Sequence, residues 1–158
     1  MANWCSNTVT FTGSGGATDK ILQLFKTMME HENKSKEGQI PDFAQEKNGY
    51  FFEIYWNETE PCSFQYETKW CPNIEVLYII SHHYNAGFVL DYAELGSCIF
   101  GRTTYHDQVI DDICLDFGDF DKYQYDEETD TYQFEGEEYQ SDCKILDILL
   151  ERKIANQP

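Results

Sequence analysis

Residues Cys62 to Gly101, CSFQYETKWCPNIEVLYIISHHYNAGFVLDYAELGSCIFG, read as strand, helix, strand, strand. From Ser63 to Trp70, Phe64, Tyr66 and Thr68 alternate with Ser63, Gln65, Glu67 and Lys69, the period of a strand with one covered face. Pro72 suits the first turn of a helix, where its missing N–H costs nothing, and Ile74, Val76, Leu77, Tyr78, Ile79 and Ile80 make most of that helix's circumference apolar. A helix of this kind, predicted over Pro72 to His83, belongs across the face of a sheet. Asn85, Ala86 and Gly87 stop it, Phe88, Leu90 and Tyr92 open the next strand, Gly96 marks a turn, and Cys98 to Tyr105 alternates back. The stretch is therefore one βαβ crossover with a hairpin attached.

Upstream, the same pattern occurs again. Cys5, Asn7, Val9 and Phe11 alternate with Ser6, Thr8 and Thr10, so Trp4 to Phe11 is a strand with a largely apolar and a hydroxyl-rich face, Trp4 excepted. Gly13, Ser14, Gly15 and Gly16 break it. Thr18 and Asp19 stand where a cap and a first-turn acid belong, ahead of Ile21, Leu24, Phe25 and Met28, which predicts a helix from about Thr18 to about His31. The segment GSGGATDK lacks both the third glycine of GxGxxG and the GK[ST] ending of a phosphate loop, so it reads as a flexible connection. Glu32 to Asn48 reads as a long surface loop, and the aromatic run Tyr50 to Trp56 as a strand paired with the one starting at Ser63. Two right-handed crossovers around a central hairpin make a ferredoxin-like β-α-β-β-α-β sandwich of α+β class, with a mainly antiparallel sheet, over residues 1–105.

From residue 106 to 158 the chemistry changes while the chain stays one domain. Between Asp107 and Asp147 there are 15 acids and two lysines, yet Tyr, Phe, Ile and Leu persist, so the region is expected to be ordered. Val109, Ile113, Leu115 and Phe117 share one parity and predict a strand continuing the meander. Tyr123 and Tyr125, then Tyr132 and Phe134, flank the acidic turn DEETD as a hairpin. Ser141 and Asp142 cap a final helix, Cys143 to Lys153, with Ile145, Leu146, Leu149 and Leu150 inward.

Composition excludes some functions. The 158 residues carry a net charge of -18, which opposes binding to phosphate backbones and anionic membranes. MANWCSNTVTF has neither a basic nor an apolar leader, no apolar run reaches membrane-spanning length, and six scattered cysteines without a CxxC pair fit a cytoplasmic protein with free thiols. Asp126, Glu128, Asp130 and Glu137 match positions 1, 3, 5 and 12 of a calcium loop, but Thr131 replaces the glycine that its sharp turn requires. His82, His83 and His106 could meet Cys71 or Asp107 as a metal site, but adjacent His82 and His83 at a helix end point different ways and scattered histidines occur without metals; no cysteine stands in a recognisable nucleophile setting. No catalytic residue, cofactor or metal is expected, and no oligomeric state is signalled.

The segments NWCSN at the start, TKWCP at Thr68 to Pro72, YAELG at Tyr92 to Gly96 and FG at Phe100 and Gly101 resemble the YubB-like ferredoxin-fold family. These are bacterial proteins, often carried on plasmids and phages, with no established activity. The resemblance covers roughly Met1 to Tyr105. It implies the same fold and no catalytic residue; its motif positions Trp4, Thr68, Trp70, Pro72, Tyr92, Glu94, Gly96 and Gly101 read as structural. Trp70 is expected to pack at the start of the second helix, and Gly96 and Gly101 to permit backbone conformations or close approach.

The functional expectation is a non-catalytic binding protein of a mobile element. Its partner would be a basic host protein, docked on Asp126, Glu127, Glu128, Asp130, Glu135, Glu137 and Glu138, within Asp107 to Glu138. A strand with one outward acid per two residues carries a charge about every 6.7 Å. Even a filled pair of strands reaches only about half the density of duplex DNA, one charge per about 1.7 Å, so close DNA mimicry is not expected. The alternative is a small-molecule enzyme with a pocket between the 32–48 loop and the sheet edge. RNA stacking on Phe51, Tyr55 and Trp56 is a third reading, opposed by the charge.

Overall fold

The computed structural model describes residues 3–158. The described residues form nine strands, β1 (Trp4–Thr12), β2 (Phe52–Trp56), β3 (Ser63–Lys69), β4 (Gly87–Glu94), β5 (Ile99–His106), β6 (Val109–Cys114), β7 (Gln124–Asp126), β8 (Thr131–Phe134) and β9 (Glu137–Tyr139), and four α-helices. The helices are α1 (Gly15–Ser35), α2 (Ile74–Tyr84), α3 (Phe117–Phe120) and α4 (Asp142–Ala155). The first six strands form one antiparallel sheet in the order β2-β3-β1-β4-β5-β6, and the last three form a second sheet. The order β2-β3-β1-β4 is that of the ferredoxin-like sandwich: each helix carries the chain over one intervening strand.

Strand periodicity divides the side chains between two cores. Cys5, Val9, Phe11, Phe64, Tyr66, Phe88, Leu90 and Tyr92 face α1 and α2, where Phe25 stacks on Phe64 with ring centroids 4.0 Å apart. On the opposite face Phe100 and Leu115 meet Ile145, Leu146, Leu149 and Leu150 of α4 and Phe134 of β8. Helix α4 covers only the β4-β5-β6 half, leaving the β2-β3-β1 half of that face open.

Several boundaries differ from the sequence expectation. Helix α1 begins at Gly15, capped by the Ser14 hydroxyl, which accepts from the Ala17 N–H. The glycines are thus its first turn and not a flexible connection. Thr18 sits inside it, its hydroxyl donating back to carbonyls of the preceding turn. The helix runs on to Ser35, ending at Lys36 in the left-handed region, so the expected long loop shrinks. What remains is held by a bridge between Gln39 and Phe51 and by a 3-10 turn at Asp42–Ala44. Pro72 lies outside α2, whose cap position is Asn73; the Asn73 side chain is spent elsewhere. The strand expected to include Leu115 and Phe117 stops at Cys114: Phe117 opens the short helix α3 and is exposed, and β9 is too short to show a period.

Candidate interaction surface

The acidic region is built, not loose. Asp116 caps α3 by accepting from the Asp119 N–H at 3.1 Å, and Asp119 accepts in return from the Asp116 N–H at 3.0 Å, a capping box closed by two acids. Lys122 and Lys153 both reach the Asp119 carboxylate, at 2.8 and 3.3 Å, and Lys153 also reaches Asp116 at 3.2 Å, tying α3 to α4. Partial burial pushes the Asp119 carboxyl up, but the Lys122, Asp116 N–H and Lys153 bonds together hold it down at about 2.

The seven acids expected to bind a partner lie on or beside the three-stranded sheet, in unequal states. Glu135 is held by Arg152 through two bonds of 2.7 and 2.9 Å, which lowers its carboxyl below the usual range. Asp130 accepts from the Tyr125 hydroxyl, Asp126 from the Glu128 N–H, and Glu137 from the Tyr139 hydroxyl. Glu138 meets Gln133 at 3.5 Å. Among the described residues, Glu127 and Glu128 have no cationic partner and project from the turn between β7 and β8. The Asp126 and Asp130 carboxylates thus bond locally, Asp126 to the Glu128 backbone and Asp130 to Tyr125, and among the described residues no three metal-ligating side chains are grouped together.

The open half of the sheet differs from the RNA platform weighed on sequence grounds. Phe51 is fully buried against α1, and Trp56 pairs with Phe64 on the helix-covered face, its ring under Lys26 at 4.3 Å. Only Tyr55 stays on the open face. A bulge between Phe52 and Tyr55, with Glu53 at φ 51°, shifts the parity and brings Phe52 out to meet Trp4 edge to face at 5.0 Å, beside Lys69. Strict alternation across YFFEIYW would put Phe52 on the helix-covered face with Ile54 and Trp56, so the pattern alone conceals its pairing with Trp4. Farther along this face Arg102 joins Asp91 at 2.6 Å to Glu151 of α4 at 2.8 Å. Burial pushes the neighbouring Asp147 carboxyl up, with Asp91 adding to the effect.

The motif positions form one hydrogen-bonded set at the β1 and β3 junction and another around β4. Buried Asn7 donates to the Thr68 hydroxyl at 2.9 Å and to the Cys5 carbonyl at 2.8 Å, and Thr68 donates to the Cys71 carbonyl at 2.8 Å. The Tyr66 hydroxyl donates to Asn73, which donates to the Gly49 carbonyl. Tyr92 donates to Asp112, and Glu94 accepts from the Gly96 N–H. A Cβ on Gly101 would meet the Ile113 carbonyl at 2.8 Å and the Tyr92 ring, so this glycine is required by close approach. Trp70 corrects the expectation: it is 56% exposed, with φ 70°, and is held by its N–H to the Asn3 carbonyl and not by packing at the helix start.

The histidines diverge. His83 stacks on Phe43 at 4.0 Å, His82 lies beside Tyr78, and exposed His106 meets Asp107 at 3.2 Å. Near the end of the 32–48 segment a cavity of about 280 Å³ is bordered by Asn48, Tyr50, Trp70 and Pro72. The hydrogen-bonding groups of Thr68 and Asn73 at its border are already committed to the motif network.

The architecture defines an α+β protein of the ferredoxin-like class with an acidic second unit. Residues 51–135 match the family model described as the ferredoxin-like domain in Api92-like protein, and the chain belongs to that family. No curated protein and no solved structure matches it. Among the described residues no helix is long and apolar enough to cross a membrane.

Proposed function

We propose that this chain is a non-catalytic protein-interaction module of a bacterial mobile element, acting in the cytoplasm, whose acidic second unit docks a basic host protein. The observation that carries this reading is the use of a separate hydrophobic core, Phe134 with the Leu146, Leu149 and Leu150 face of α4, to hold an acid-rich three-stranded sheet in fixed geometry. Charge serving solubility alone needs no ordered scaffold, whereas a fixed array of carboxylates steers a basic partner and sets its register. At the cavity beside the 32–48 segment the Thr68 and Asn73 side chains are already bonded within the protein, which favours binding over the enzyme alternative.

The test is capture from bacterial lysate at low and high salt, with the proteins identified by mass spectrometry. A variant in which Asp126, Glu127, Glu128, Asp130, Glu135, Glu137 and Glu138 become Asn or Gln serves as the comparison. Basic proteins captured by the parent at low salt, released at high salt and missed by the variant are the expected result. Identical captures under all conditions sink the proposal.

A further inference from the structure

The two edges of the six-stranded sheet are finished differently. At the β2 edge the bulge twists the strand, Gln39 and Phe51 exchange backbone bonds of 2.8 and 2.7 Å, and the Glu32 carboxylate accepts from the N–H groups of Glu53 at 2.8 Å and Ile54 at 2.9 Å. These are the devices that keep a sheet edge from pairing with another chain. The β6 edge has neither bulge nor cover: VIDDIC contains no proline, lysine or glycine, its only charges are Asp111 and Asp112, which oppose an acidic neighbour and suit a basic one, and its register with β5 is unbroken from Gly101–Cys114 to His106–Val109.

The direction of its backbone follows from one bond. Leu115 donates to the Phe100 carbonyl at 2.9 Å, which makes that pair a hydrogen-bonded one, and alternation then turns Val109, Asp111 and Ile113 toward β5. Ile110, Asp112 and Cys114 present their N–H and C=O groups outward. Among the described residues no hydrogen bond from elsewhere in the chain reaches those groups. Val109 and Ile110 are 58% and 45% exposed beside them.

Resting on the reading that the partner is basic, we propose that β6 accepts an extended basic segment of that partner as a seventh strand. Backbone groups of Ile110, Asp112 and Cys114 would supply the ladder, and the carboxylates of Asp111 and Asp112, on opposite faces of the strand, would meet alternate Lys or Arg side chains, Asp112 through Oδ2 because its Oδ1 already accepts from the Tyr92 and Thr103 hydroxyls. A second copy of this chain fits poorly: edge-to-edge pairing would set these aspartates against their own copies, between chains that each carry -18.

The probe is an eight-residue peptide of alternating lysine and valine, compared with an equally charged peptide carrying proline at every third position, which cannot form a ladder. Binding is read by titration at two salt concentrations and by amide exchange in the full chain. The alternating peptide is expected to bind about tenfold more tightly and to slow exchange at Ile110, Asp112 and Cys114. Ile110→Pro removes only an outward donor, so it keeps the native amide fingerprint while lowering affinity for the alternating peptide about tenfold; Ile110→Ala leaves affinity unchanged. Equal binding of both peptides with unprotected β6 amides overturns strand addition but leaves the electrostatic reading standing. Binding of neither peptide, or binding insensitive to salt, removes both. Concentration-dependent protection of β6 in the protein alone assigns the edge to a second copy and overturns the proposal.

Discussion

Asp119→Asn keeps the shape of a buried side chain and removes the charge that joins α3 to α4. In the native chain its carboxyl is held at about 2 against an ordinary value of 3.8, chiefly by Lys122, the Asp116 N–H and Lys153 acting against partial burial. A depression of this size corresponds to roughly 2 kcal/mol of stability at neutral pH. Because Lys122 is half exposed and Lys153 one-third exposed, solvent screening reduces the expected loss to about 1–2 kcal/mol. A folded-state value below the unfolded one contributes in full above about pH 4, and the contribution fades as the pH falls through the folded value near 2. Urea unfolding of both proteins between pH 7 and pH 2 should therefore show a constant deficit in the variant down to about pH 4, closing below it. A melting shift of roughly 2–8 °C should accompany the neutral-pH deficit. A deficit that persists unchanged to pH 2, or none at neutral pH, would refute the assignment of Asp119 as a charge-dependent clasp.

Glu32→Ala strips the carboxylate from the Glu53 and Ile54 amides and should cost about 2 kcal/mol in chemical denaturation, with increased light scattering at high protein concentration as the β2 edge opens. Asn7→Ala leaves the buried Thr68 hydroxyl without its donor and should cost about 1–3 kcal/mol; a neutral effect would show that the motif network is dispensable. Gly101→Ala places a methyl group against the Ile113 carbonyl and should destabilise by about 1–3 kcal/mol, with its largest amide shifts in β6. In the native protein Cys71, Cys114 and Cys143 are exposed, whereas burial pushes the Cys5 and Cys62 thiols up to about 11. Thiol titration should thus show a fast group that excludes Cys5 and Cys62, and six reactive thiols after unfolding without reductant.

The ferredoxin-like core was legible from Cys62 to Gly101 because each element there is long enough to repeat its period: Phe64, Tyr66 and Thr68 at alternate positions define β3, Phe88, Leu90 and Tyr92 define β4, and a nearly all-apolar turn pattern defines α2. Helix α4 was legible for the same reason, with Ser141 as its cap accepting from the Cys143 N–H. Where the local code is shared by two states, the reading failed. Gly15 and Gly16 have low helix propensity, yet the Ser14 cap and burial of Ala17, Ile21 and Phe25 under the sheet extend α1 through them. At YFFEIYW every residue but Glu53 is a strand former, and one glutamate inside a strand reads equally as an outward-facing residue, so nothing local fixes the one-residue slip there.

The sequence alone determined the class of fold, the charge and the presence of an ordered acidic region, since these depend on composition and on contacts close along the chain. Tertiary structure alone decided that α4 lies on the face opposite α1 and α2, that Trp4 meets Phe52, and that β2 is closed by Glu32 while β6 stays open. Each of these joins residues far apart in the chain, and a hydrogen bond such as that from Ile54 to Glu32 carries no trace in the local pattern of either partner. Periodicity records which side of an element is buried; it does not record against what.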